Sequence, residues 1–103
     1  MKIACASTNG IEVNEHFGTA AAFYIFTLEN GDLSREDVVK VNPYSSGDQK
    51  NHPFAQSAFE RLSAALQGCK RVYVVKIGET PARELRKIGI EPVIYTGDIS
   101  AIR

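Results

Sequence analysis

Arg71-Val72-Tyr73-Val74-Val75-Lys76-Ile77, a valine-rich run standing between Gly68 and Gly78, decides the fold. It lacks the apolar-polar alternation of a strand with one wet face. It therefore reads as a central strand buried on both sides, and such strands are characteristic of parallel sheets. Parallel neighbours require helical crossovers, and helical patterns flank the run. Upstream, Phe54, Ala55, Ala58, Phe59, Leu62, Ala65 and Leu66 recur at three-and-four spacing, which gives one apolar face. Pro53, after His52, suits the first helical turn, and Gly68 suits a left-handed stop. Downstream, Thr80 is the expected N-cap of a second helix, with Ala82, Leu85 and Ile88 facing inward and Gly89 as its end. Glu91 to Tyr95 is the last predicted strand, and Asp98 could cap one further turn.

The N-terminal half reads differently. Lys2 to Ser7 is a short, mostly apolar strand that stops at Thr8-Asn9-Gly10. Ala22 to Leu28 and Leu33 to Val41 are extended runs on either side of Asn30-Gly31, the residue pair that tolerates the positive φ angles of a type I′ hairpin turn. The order is βββαβαβ. The expected fold is an α/β, three-layer domain spanning residues 1–103 as one unit. Its mixed five-stranded sheet places the first strand centrally and makes the second strand antiparallel to the rest. That strand order is the ribonuclease H-like one.

Composition narrows the function. Hydrophobic residues make up 44% and charged residues 23%, values of an ordinary globular chain rather than a disordered one. Twelve basic and twelve acidic residues cancel, which argues against a protein built to grip nucleic-acid phosphates. The balance conceals an asymmetry. Residues 1–49 hold three basic and seven acidic side chains, and residues 50–103 hold nine and five. The C-terminal half is thus the positive one, through solvated helix faces or through attraction for an anionic ligand. No apolar run approaches the ~20 residues of a membrane helix, and no signal-peptide stretch follows Lys2; a soluble, cytoplasmic protein is expected. Cys5 and Cys69 have no CxxC spacing, so zinc-ribbon and thioredoxin readings fail and reduced thiols are expected. P-loop, dinucleotide, nucleophile-elbow and zincin motifs are absent. Two-metal nuclease chemistry would need acids on the central strand, which carries Cys5 instead.

The topology directs attention to one rim. The loop from Asn9 to Gly18 leaves the carboxyl end of the first strand, and both helices are expected to begin at that same end, where open α/β sheets bind ligands and helix N-termini favour anions. His16 and His52 belong to this rim; Cys69 belongs to the opposite end. His16, in Glu15-His16-Phe17-Gly18, is either a structural histidine bonded to its loop or a solvent-reachable imidazole that binds metal. Phe17 anchors the loop in the core on either reading. His52 is a solvated residue, a cap or a ligand. Cys5 is a packed core thiol, a thiolate ligand or a nucleophile, and Cys69 a packing residue or a thiolate favoured by Lys70 and Arg71. No pair has the tight spacing of a closed zinc site, so a partial or labile metal site fits better.

The opening strand Ile3-Ala4-Cys5-Ala6-Ser7-Thr8-Asn9-Gly10, the signature Val13-Asn14-Glu15-His16-Phe17-Gly18 with Phe23 and Ile25, and the segment Gly68-Cys69-Lys70-Arg71-Val72 resemble the dinitrogenase iron-molybdenum cofactor biosynthesis family. The likeness continues through Ile77-Gly78, Leu85, Gly89-Ile90 and Pro92. It implies a ribonuclease H-like domain, not an enzyme, that carries an iron-sulfur-based or molybdenum-containing cluster between donor and acceptor proteins. His16 is the residue the resemblance marks as a cluster ligand. Phe17 and Gly18 would shape its loop, while Lys76, Arg83 or the amides near Thr80 would supply positive potential. Members of this type often continue past the position of Arg103 into another helix, so a homodimer is a further expectation. The competing readings are a protein-interaction or regulatory module with no cluster, and a thiol enzyme using Cys5 with His16 as base.

Overall fold

The first part of the valine-rich run, through Val74, lies in a strand with parallel partners on both sides; Val75, Lys76 and Ile77 fall past its end, where Val75 and Lys76 bond the Glu15–Phe17 loop instead and Lys76 is exposed. The computed structural model describes residues 1–41 and 56–102. Along the chain run β1 (Lys2–Ala6), β2 (Glu12–Val13), β3 (Ala22–Glu29), β4 (Asp32–Lys40), α1 (Gln56–Ala65), β5 (Cys69–Val74), α2 (Glu79–Lys87), β6 (Glu91–Ile94) and β7 (Gly97–Asp98), then a 3-10 turn at Ile99–Ala101. The main sheet has the order β4-β3-β1-β5-β6. β1 pairs antiparallel with β3 and parallel with β5, and β5 pairs parallel with β6. The mixed five-stranded sheet, its central first strand and the reversed hairpin strand are therefore as the sequence predicts. Asn30 (φ 53°) and Gly31 (φ 83°) make the hairpin turn.

Alternation along β1 sorts the core into two faces. Ala4 and Ala6 point to the side where Phe59, Leu62 and Leu66 of the first helical segment and Leu85 of α2 pack, and their small side chains let the helices approach. Ile3 and Cys5 point to the other side, against Val13, Phe26, Tyr73, Ile99 and Ile102. This second face corrects the expected third layer. Both described helices lie on one face, because β4 to β5 and β5 to β6 step in the same direction along the sheet and crossovers of one hand must then share a side. The opposite face is covered by the small antiparallel ribbon β2–β7 and the 3-10 turn. The helix start expected at His52, Pro53 and Phe54 falls outside the described residues.

The end of α2 brings a second correction. Ile88 is not inward but 54% exposed, because the helix ends at Lys87. Gly89 (φ 86°) turns the chain so that its N–H bonds Arg86 O (3.1 Å) and the Ile90 N–H bonds Leu85 O (3.0 Å). This is the Schellman arrangement, and Ile90 takes the buried place beside Leu85 that a longer helix would have given Ile88.

Candidate functional site

The site is built on a strap that crosses the carboxyl ends of β1 and β5. Ser7, 1% exposed at the end of β1, starts it: its hydroxyl accepts the N–H groups of Asn9 (3.2 Å) and Gly10 (2.9 Å). The Asn9 side-chain oxygen takes Ile11 N–H (2.8 Å) and Glu12 N–H (3.2 Å), and Asn14 closes the loop onto Thr8 through both ends of its amide. These bonds stand in for a regular ladder where the chain turns. Asn14 N–H still reaches Ala6 O (3.2 Å). Val75 N–H then donates to Glu15 O, and Phe17 N–H donates to Lys76 O, each at 2.9 Å. His16 is the residue between those two clamps.

Its neighbour makes the clamp rigid. Phe17 is 1% exposed, with its ring centroid 5.9 Å from Phe23 and 6.3 Å from Phe59. Burying Phe17 in the helix-side core forces the next side chain back along the strap outward, and His16 is exposed. Its carbonyl accepts Ala20 N–H at 3.0 Å, while its imidazole has no hydrogen-bond partner among the described residues. The strap thus fixes the backbone of His16 and leaves both ring nitrogens without a partner among the described residues. Gly18 follows, half-buried.

The second element of the rim differs from the expectation. Thr80 does not cap α2; Gly78 does, in extended conformation (φ −71°, ψ 160°) with no side-chain bond, and Thr80 lies half-buried inside the first turn. Pro81 occupies a position whose N–H would otherwise face the rim, leaving Gly78, Glu79 and Thr80 as amide donors without intrahelical partners. The Glu79 carboxylate further offsets the positive helix end. Lys76, exposed, adjoins the strap through its backbone.

The structure separates the thiols from this rim. Cys5 is 0% exposed on the ribbon-covered face, and burial, then the charge of Cys69, raises its thiol from 9.0 to about 12. A thiolate ligand or nucleophile there would have to form against that desolvation, which favours the packed neutral thiol at Cys5. Cys69 pairs with Lys2 at the far end of β1, as the topology predicts. Burial raises its thiol and the Lys2 ammonium acts in the opposite sense. Among the described residues no three His, Cys, Asp or Glu side chains converge to hold a metal ion. His52 lies outside the described residues. Sequence reasoning missed Ser7 and Asn14 as the supports of the strap; the signal was a cluster of short polar residues, which marks a turn without giving its bonding pattern.

A mixed α/β domain that presents one imidazole on a clamped strap defines the class of protein. The family described as "Dinitrogenase iron-molybdenum cofactor" matches residues 1–102, and the chain belongs to it. It is 33% identical over 91 residues to the FeMo cofactor biosynthesis protein NifB of Herbaspirillum seropedicae, covering 88% of this chain and 17% of that protein. It is 27% identical over 93 residues to Protein NifX of Azotobacter vinelandii, covering 90% and 55%. The chain therefore spans about a fifth or less of that NifB and about half of that NifX. Among solved structures, PH0822 superposes with a TM-score of 0.70 at 24% identity, covering 97% of this chain and 84% of that one. A Thermotoga protein of the DUF35 family superposes at 0.63 and 18%, covering 94% and 78%. At these identities the superpositions speak for the fold.

Proposed function

We propose that the protein binds and hands on a metal cluster of the iron-sulfur or iron-molybdenum type, as a non-catalytic carrier between donor and acceptor proteins in cofactor assembly. The observation that carries this is the clamped, exposed His16, whose ring is unengaged among the described residues. An imidazole nitrogen donates to a coordinatively open metal, and a backbone fixed on both sides keeps the ordering cost of that bond low. Family membership supports the cargo class, as do relatives whose names specify FeMo cofactor biosynthesis. One protein ligand suits a cargo that must leave again, since a closed site of four ligands would retain it. We read the domain as one ribonuclease H-like unit working in the cytoplasm. Its strand order, with the second strand of the sheet reversed, supports the fold label, and no described helix is long and apolar enough to cross a membrane.

Anaerobic reconstitution with iron and sulfide, with and without molybdate, tests the proposal. Wild type should acquire visible absorbance and stoichiometric metal, and His16→Ala should lose most of both. Full uptake by that variant rejects His16 as the ligand. The second reading, an interaction or regulatory module with no cluster, draws on the absence of any group of three converging His, Cys, Asp or Glu side chains among the described residues. It predicts metal-free wild type after the same treatment.

A further inference from the structure

The thinly covered face carries a feature that the cluster reading does not use. Beside the β2–β7 ribbon is an apolar hollow of about 260 Å³ lined by Gly10, Ile11, Phe26, Leu33, Ile99 and Ser100. At its lip Ile11 is 67% exposed, although its carbonyl is held by Ile99 N–H at 2.9 Å. A large apolar side chain is thus fixed in water next to a vacant apolar space. The charges around it are also unmatched. Glu12 and Asp98 stand directly opposite one another in the ribbon, where like charges repel, and neither carboxylate has an ion-pair partner among the described residues. Arg35 lies near the hollow, since a β-carbon at Gly10 would come within 2.9 Å of its Nη1. Its guanidinium rests 5.6 Å from the centroid of Tyr24 and has no carboxylate partner among the described residues.

We propose that two copies of the chain meet on this face, each Ile11 filling the hollow of the other and each Arg35 bridging the Glu12–Asp98 pair of the other. A knob beside its own hole and a cation near two uncompensated carboxylates form a self-complementary patch, which is what a two-fold contact requires. The patch as a whole is the ligand here, and its chemistry selects a second copy over an acidic or a basic partner, because both signs of charge are present and each lacks its complement among the described residues. Stable interfaces bury about 1,200–2,000 Å² in total, more than the hollow supplies, so the contact extends over Leu33 and Tyr24 and is of the weak, concentration-dependent kind. It stands whether or not a cluster binds at His16.

Sedimentation equilibrium of the whole chain from about 10 µM to about 1 mM tests it. Wild type is expected to show a monomer–dimer equilibrium that weakens as salt rises from about 0.05 to 0.5 M. Ile11→Asp and Arg35→Glu should each weaken it about tenfold or more while circular dichroism stays that of the wild type, because both side chains are exposed. Combining Arg35→Glu with Glu12→Arg should restore association. Wild type that remains monomeric throughout, dimers that both single variants leave intact, or a reversed pair that recovers nothing would each overturn the proposal.

Discussion

Phe17 and His16 are neighbours with opposite environments, and the contrast gives a test at the scale of single residues. Phe17 touches two other rings and is almost fully buried, so Phe17→Ala should lower unfolding free energy by about 3–5 kcal/mol in urea denaturation. His16 has an exposed ring without described partners, so His16→Ala should stay within about 0.5 kcal/mol of wild type. Equal losses from the two substitutions would mean that the histidine is structural. Cys5 gives a pH prediction. Its thiol is raised from 9.0 to about 12 in the fold, so above pH 9 the unfolded chain releases this proton while the native one holds it. The corresponding stability is complete below pH 9 and declines as pH climbs toward 12. Native protein at pH 8 should leave Cys5 unmodified by iodoacetamide, whereas denaturant should expose it to rapid alkylation.

At the scale of elements, two glycines with similar backbone angles serve different ends. Gly31 (φ 83°) in the β3–β4 turn has nothing within 4 Å of the point where a β-carbon would stand, so Gly31→Ala incurs only the left-handed backbone penalty, about 1–2 kcal/mol. Gly10 (φ 75°) would bring that carbon to 2.5 Å from Tyr24 Cε2 as well as 2.9 Å from Arg35, so Gly10→Ala should be clearly the more damaging in thermal melts. Comparable losses would mean that Tyr24 moves aside. The edge strands show why the sheet ends where it does. β4 carries Asp32, Arg35, Glu36, Asp37 and Lys40 outward, and β6 carries Pro92. Tyr95 N–H bonds Val74 O, so alternation turns the Pro92 nitrogen away from β5, where its missing proton costs the ladder nothing and blocks a further strand.

At the scale of the whole molecule, the described residues seal the sheet with helices on one side and with a ribbon and a 3-10 turn on the other. The thin side should be correspondingly sensitive. Ile99, 3% exposed, sits in that short turn, and Ile99→Ala should cost about 2–4 kcal/mol, whereas Ile88→Ala, at 54% exposure just past the end of α2, should cost little; paired urea titrations compare them. Much of this architecture was readable in the residues themselves. The apolar run through Val74, the helical spacing through Phe59, Leu62 and Leu66, and Asn30-Gly31 mark strand, helix and hairpin because burial period and φ preference are local properties, although the strand spans Cys69–Val74 rather than reaching Ile77. The exposed histidine loop was legible as a turn for the same reason. Three things were decided only in three dimensions: Gly78 rather than Thr80 at the start of α2, Ile90 rather than Ile88 in the core, and a β2–β7 ribbon in place of a helical layer. The first two depend on which of several locally acceptable groups the backbone actually turns at, and the third on strands from distant parts of the chain meeting each other. The two-residue strands at Glu12–Val13 and Gly97–Asp98 have no periodicity of their own to announce them, and they exist only because the sheet leaves a face that each helps the other to cover.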